Sequence, residues 1–200
     1  MSLNNLDKFF TNNVEDFSAN YLNYLKVLID KVNTNHIAQV VNRILDAREN
    51  DSQIFFLGNG GSASTASHYA NDISIGSNTL NKPFKAISLT DNQAIITAIA
   101  NDYGYDQIFV RQLKVLANEG DLIVCITASG NSENIVKAIN YANNNKIHTI
   151  AITGFDGGKC KKLANQNIHI DTEIGEYGPV EDLHIILAGL IGSYLVRHVK

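Results

Sequence analysis

From Gln53 onward the chain alternates short apolar runs with helix-length segments, and this alternation leaves few folds open. Ile54–Leu57, Phe84–Leu89, Leu122–Thr127, His148–Thr153 and Ile168–Asp171 read as strands. They are apolar almost without interruption, as strands covered on both faces should be. Helices are expected at Ser62–Ile73, Asn92–Ala100, Asp106–Ala117, Ser132–Asn143, Gly158–Ala164 and Pro179–His198. Strand and helix in turn imply an α/β fold, a five-stranded parallel sheet with helices on both sides.

The first fifty residues differ, containing neither Gly nor Pro. Phe10, Val14, Phe17, Tyr21, Leu25, Leu28 and Val32 recur three and four apart, the apolar stripe of a helix. A second helix is expected from His36 to Arg48, capped by Thr34 or Asn35. The reading divides the chain into a helical arm, residues 1–50, and an α/β domain, residues 51–200. The sheet already has its covering helices, so the arm's stripe needs another surface, and a homo-oligomer is expected.

Composition excludes several classes. A hydrophobic share of 44% is enough for a real core. The net charge is −4 and the 16 Lys and Arg are scattered, which argues against a nucleic-acid groove. No apolar run reaches the roughly 18 residues of a membrane span. The start MSLNNLDKFF lacks the basic-then-apolar order of a signal peptide. Cys125 and Cys160 are too few for a disulfide scaffold and lack metal-type spacing, so a reducing cytoplasm is expected. Cys125 should be a small apolar core residue. Cys160 is expected nearer the surface, with no His close in sequence to activate it.

In open parallel sheets, ligands bind beyond the carboxyl ends of the strands. The segments there are GNGGS (58–62), SLTDN (88–92), TASGNS (127–132), TGFDGG (153–158) and DTEIGEYGPVED (171–182). Thr127, Ser129 and Ser132 place three hydroxyls around Gly130, just before a helix. Hydroxyls beside free N–H groups at a helix start suit a phosphate. The loop lacks the Lys of a nucleoside-triphosphate loop, and GNGGSA is not a dinucleotide fingerprint, so no nucleotide cofactor is expected. Gly and Ser also serve as plain turns and caps.

His68 and Asp72 share one helix face, a spacing that fits a metal ion or acid–base work as well as a solvated surface. Glu181 and Asp182 should open the last helix, with His184 three residues after Glu181. Leu183, Leu187, Leu190 and Tyr194 form its apolar stripe. Glu181, Ile185, Ala188 and Gly192 lie opposite, with Gly189 at the margin, and their small members permit close approach of another helix or subunit.

GNGGSASTASHYANDI, ITAIANDYGYDQIFVRQL, TASGNSENIVKAI, AITGFDGG and VEDLHIIL, in this order, resemble the sugar isomerase (SIS) domain family, and within it the phosphoheptose isomerase group. The resemblance covers essentially the whole chain. It implies an SIS-type, flavodoxin-like sheet, a cytoplasmic homotetramer and a sedoheptulose 7-phosphate-like substrate. Its phosphosugar contacts fall on Asn59, Gly60, Gly61 and Ser62, on Asn101 and Asp102, and on Thr127, Ala128, Ser129, Ser132 and Glu181. Thr127 stands where the family usually has Ser. Its metal or acid–base residues fall on His68, Asp72 and Glu181, so zinc would have an incomplete ligand set. Asp72 replaces a Glu, and Gly189 replaces a His of the last helix. Two functions stay open. One is aldose–ketose isomerisation, with Glu181 or Asp72 moving a proton and His68 holding a metal or polarising an oxygen. The other is a non-catalytic phosphosugar-binding regulator, similar to the DnaA-associating replication regulator of bacteria.

Overall fold

A computed structural model of the chain describes residues 4–79 and 81–199; the first three residues of the start read above lie outside it. Strands β1 (Gln53–Gly58), β2 (Lys85–Ser88), β3 (Leu122–Thr127), β4 (His148–Thr153) and β5 (Gln166–His169) form one sheet in the order β2-β1-β3-β4-β5. Every neighbouring pair is parallel. This is the flavodoxin-like order, whose direction reverses between β1 and β3 and leaves a crevice at their carboxyl ends.

Alternate residues of the central strands point to opposite faces and build two cores. Ile54, Phe56, Val124, Ile126, Ile150 and Ile152 pack beneath α3 (Thr34–Glu49), α4 (Gly61–Ser74) and α9 (Tyr177–His198). Phe55, Leu57, Ile123, Cys125 and Ala151 pack beneath α6 (Ile108–Leu116), α7 (Glu133–Asn144) and α8 (Gly158–Leu163). Burial of both faces explains the uninterrupted apolar strands.

The arm's expected stripe lies on α2 (Val14–Asp30), with only its end members Phe10 and Val32 outside the helix, and a short α1 (Asn5–Phe9) precedes it; Asn4 and Asn13 cap the two starts. Asn33 caps α3, in place of the expected Thr34 or Asn35, because its carboxamide accepts the N–H groups of Asn35 and His36. Ile37, Val40, Val41, Ile44 and Ala47 of α3 lie in the sheet's own core. A boundary at residue 50 therefore cuts through one core rather than between two. Of the stripe, Leu28 is buried, while Val14 on α2 and Phe10 before it stay exposed.

Other differences are local. β5 begins two residues earlier than expected. The segment expected as one helix over Asp106–Ala117 is a 3₁₀ turn, Tyr105–Gln107, followed by α6. On α9 the buried stripe continues through Ile191 and Leu195, while Leu190 and Tyr194 face outward. Residues 183, 187, 191 and 195 are buried at four-residue spacing on a helix whose main packing partner is α4. Its length and mean hydropathy of 1.3 would by themselves suit a membrane span, and half of that window is buried in the fold. Cys160 is buried, contrary to expectation, and burial pushes its thiol up to about 12.

Candidate functional site

The crevice between β1 and β3 holds a cleft of about 130 Å³. Asn59 and Ser62 line it from the β1–α4 turn. Thr127, Ala128, Ser129 and Ser132 line it from the β3–α7 loop, and Tyr177 and Glu181 from α9. Most of the expected phosphosugar residues therefore share one small polar space.

The β3–α7 loop is folded by its own hydroxyls. The Gly130 N–H donates to Thr127 Oγ1 at 3.2 Å, and the Asn131 N–H donates to Ser129 Oγ at 3.3 Å. Used as acceptors, these oxygens keep their O–H protons free for an anion. Gly130 has φ +64° and lies so close to the Gly157 carbonyl that an added Cβ would collide with backbone. The TGFDGG segment accordingly acts as a buttress, not as a ligand loop. The Cys160 N–H donates to the Gly130 carbonyl at 2.9 Å, and the Lys159 N–H donates to Asn131 Oδ1 at 3.2 Å. Ser132 precedes α7 without capping it, so its hydroxyl is also uncommitted. Hydroxyls and the α7 N-terminus thus converge on the cleft, an arrangement whose chemistry suits an anion such as phosphate.

Asn59 is held by residues the sequence reading did not single out. Its carboxamide pairs reciprocally with that of buried Asn134 at 2.9 Å, and Tyr105 donates its hydroxyl to Asn59 Oδ1 at 3.0 Å. Tyr177 was not singled out either, although it lies in the 171–182 segment that follows the last strand. The VEDLHIIL pattern, one helical turn later, was the available signal for it.

Glu181 reaches the cleft because α9 and α4 pack side by side. A Cβ built on Gly61 would lie 2.7 Å from Glu181 Cδ, and one on Gly192 would lie 3.3 Å from Asp72 Cβ. Both pairs are separated by eleven residues on each helix, so the helices run parallel with their N-termini at the cleft. The small residues foreseen on this face admit α4 of the same chain. The carboxylate of Glu181 rests on the first turn of α4, beside its positive end. Gly61→Ala is expected to change stability by less than about 1 kcal/mol, because the atoms in the way are the mobile carboxylate end of Glu181 and Ala favours the helix. It should also displace Glu181 from the cleft. Denaturant titration and kcat of the variant check this.

His68 and Asp72 lie elsewhere. They pair with each other, Nε2 to Oδ2 at 3.1 Å. They stand about 10 and 16 Å along α4 from Gly61, at 1.5 Å per residue. Asn101 and Asp102 also lie outside the cleft. They are exposed at the end of α5 (Gln93–Tyr103) and bonded to each other at 2.8 Å. Gly60, with φ +56°, shapes the turn without lining the cleft. Residues His68, Asp72 and Glu181 therefore do not form one ligand set. Two are paired with each other, the third lies nearly two turns away from His68, and position 189 carries no side chain. Among the described residues no group of three His, Cys, Asp and Glu side chains could hold a metal. Within one chain, the described donors do not assemble a zinc site.

A doubly wound parallel sheet with a hydroxyl-rich anion cradle at its switch point is the architecture of a phosphosugar-binding α/β domain. The model of the SIS domain family matches residues 16–154, and the chain belongs to that family. It is 37% identical to a probable phosphoheptose isomerase of Thermoplasma acidophilum over 160 residues, 80% of this chain and 87% of that one. It is 35% identical to the phosphoheptose isomerase of Helicobacter pylori strain P12 over 162 residues, 81% of this chain and 83% of the relative. The structure of phosphoheptose isomerase from Neisseria gonorrhoeae superposes with a TM-score of 0.82 at 28% identity, covering 92% of this chain and 98% of that one.

Proposed function

We infer that the protein is a phosphosugar isomerase of the phosphoheptose isomerase type, acting on sedoheptulose 7-phosphate or a close relative. The observation that carries this is the joint lining of one cleft by the Thr127–Ser132 loop and the Glu181 carboxylate. The phosphoryl group accepts hydrogen bonds from Ser129, Ser132 and the first N–H groups of α7. Glu181 takes a proton from C1 of the ketose. The C1–H electron pair becomes the C1=C2 bond of an enediol as the carbonyl oxygen at C2 gains a proton. Return of a proton to C2 and loss of the C1 hydroxyl proton leave the aldose. No oxidant enters or leaves. Asp72 is less suited to this step, being tied to His68 beyond the cleft.

The reading extends to a cytoplasmic homo-oligomer, a tetramer as in the family. Its support is apolar surface left uncovered in a single chain. No residue of α5 is buried although Ile95 lies on it, and Ile186, Leu190 and Tyr194 face outward on α9. Both cysteines are free, in keeping with a reducing compartment.

Incubation with sedoheptulose 7-phosphate, with and without zinc, tests the reading by aldose phosphate formation. Turnover is the expected result. Phosphosugar binding without turnover in either condition would leave the regulator reading, which Gly189 favours. A Cβ at Gly189 meets nothing within 4 Å, so Gly189→His should fold. If the missing imidazole limits the rate, this variant gains activity, by about 10²-fold or more for a restored acid–base group.

A further inference from the structure

Glu176, the residue just before α9, is fully buried, and the reaction makes no use of it. Its Oε2 accepts the Tyr24 hydroxyl at 2.6 Å, and its Oε1 accepts the Asn5 backbone N–H at 2.7 Å. The Glu173 N–H donates to Oε2 at 3.2 Å. Asn5 Nδ2 donates in turn to the Tyr24 hydroxyl oxygen at 3.0 Å. Further along α9, Tyr21 donates its hydroxyl to Asp182 Oδ2 at 2.6 Å. Between these points the same hydroxyl lies over Gly178, where an added Cβ would come within 3.0 Å of it. Anchoring an apolar helix requires no buried carboxylate, and burying one is costly unless donors satisfy it. Here the donors come from the N-terminal arm and from the turn that leads into α9. The two carboxylates bracket Tyr177 and Glu181, the α9 residues that line the cleft.

We propose that the N-terminal arm is a working part of the active site. Tyr24 and Tyr21 are positioning residues that act through Glu176 and Asp182 to fix the turn from which Tyr177 and Glu181 enter the cleft. The kinetic consequence rests on the isomerase reading, and the structural one on geometry alone. The phosphate cradle sits on β3 and α7, which the arm does not touch through these bonds. Loosening the latch should therefore move the reacting carboxylate and leave phosphate recognition in place.

The test is the full-length Tyr21→Phe/Tyr24→Phe variant, with Tyr24→Phe alone should the double variant fail to fold. Kinetics are measured well below the melting temperature, together with amide hydrogen exchange. A misplacement of about 1 Å can cost a reacting group up to about 10²-fold, so kcat should fall about tenfold or more with KM within about twofold. Amides of residues 174–182 should exchange faster, and those of the Thr127–Ser132 loop should not. Unchanged kcat overturns the proposal even if the melting temperature drops, since the arm would then be only an anchor. A fall in kcat without faster exchange at 174–182 overturns it too. Should the natural protein show no turnover, the isomerase reading falls separately. The exchange result then decides alone, with faster exchange sustaining the latch and unchanged exchange overturning it.

Discussion

Glu181→Gln is expected to lower kcat for sedoheptulose 7-phosphate by about 10²–10⁴-fold, the usual contribution of a positioned general base. Gln matches Glu in shape, so the contact with Gly61 and the packing of α9 on α4 persist. The amide cannot hold the proton taken from C1. KM should change little, because the phosphate is bound by the Ser129 and Ser132 hydroxyls on another element. Asp72→Asn provides the contrast. Asp72 lies at the far end of α4, packed near Gly192 and paired with His68. Its loss should cost much less than that of Glu181. If steady-state kinetics rank the two variants the other way, Glu181 is not the base.

His184 gives the largest expected effect on stability. The ring is fully buried, about 60° round α9 from Glu181, and no well-formed hydrogen bond reaches either ring nitrogen. Burial above all pulls its pKa down to about 4; the Thr153 backbone works against this, and the nearby His169 charge adds a little to it. An unfolded His titrates near 6.5. Between these values the unfolded chain holds a proton that the folded chain refuses. Stability therefore falls as the pH drops through this window and is unaffected by this group above it. The loss amounts to about 2 kcal/mol at pH 5 and about 3 kcal/mol at pH 4. Denaturant titrations across this range should show the decline, and His184→Phe should remove that share of it. His148 and His169, both also held below the ordinary imidazole range by burial, add losses of the same sign. The comparison with the variant isolates His184. A variant that keeps the full acid sensitivity would show that the proton goes elsewhere.

Much of the fold was legible because parallel strands buried on both faces must be apolar throughout, and no polar residue interrupts Leu122–Ile126 or Ile150–Ile152. The loop residues were legible for a related reason, since Gly, Ser and Thr after a strand mark places where backbone approaches a ligand. The arm was harder. Both of its helices were legible, but the arm read as a unit seeking a partner subunit, whereas α3 completes the sheet's own core, and the caps fall on Asn13 and Asn33. Caps are local choices among several adjacent Asn residues, and spacing alone does not select among them. Asn101 and Asp102 were marked by resemblance, yet in a single chain they end a helix with no buried residue.

Sequence alone determined the strand–helix alternation, the two sides of the sheet and the loops that meet at the crevice. All of these depend on the order of residue types along the chain. It could not decide which carboxylate lines the cleft. Asp72 and Glu181 carry equivalent groups on helices of similar pattern, and both positions resemble a working residue. That choice came from helix pairing across more than a hundred residues. Gly61 lets Glu181 lie at the cleft while Gly192 receives Asp72 eleven residues further on. The same pairing, with Tyr21 and Tyr24 brought from the N-terminus onto α9, arises only when the chain is packed, because no periodicity in one segment encodes its distance from another.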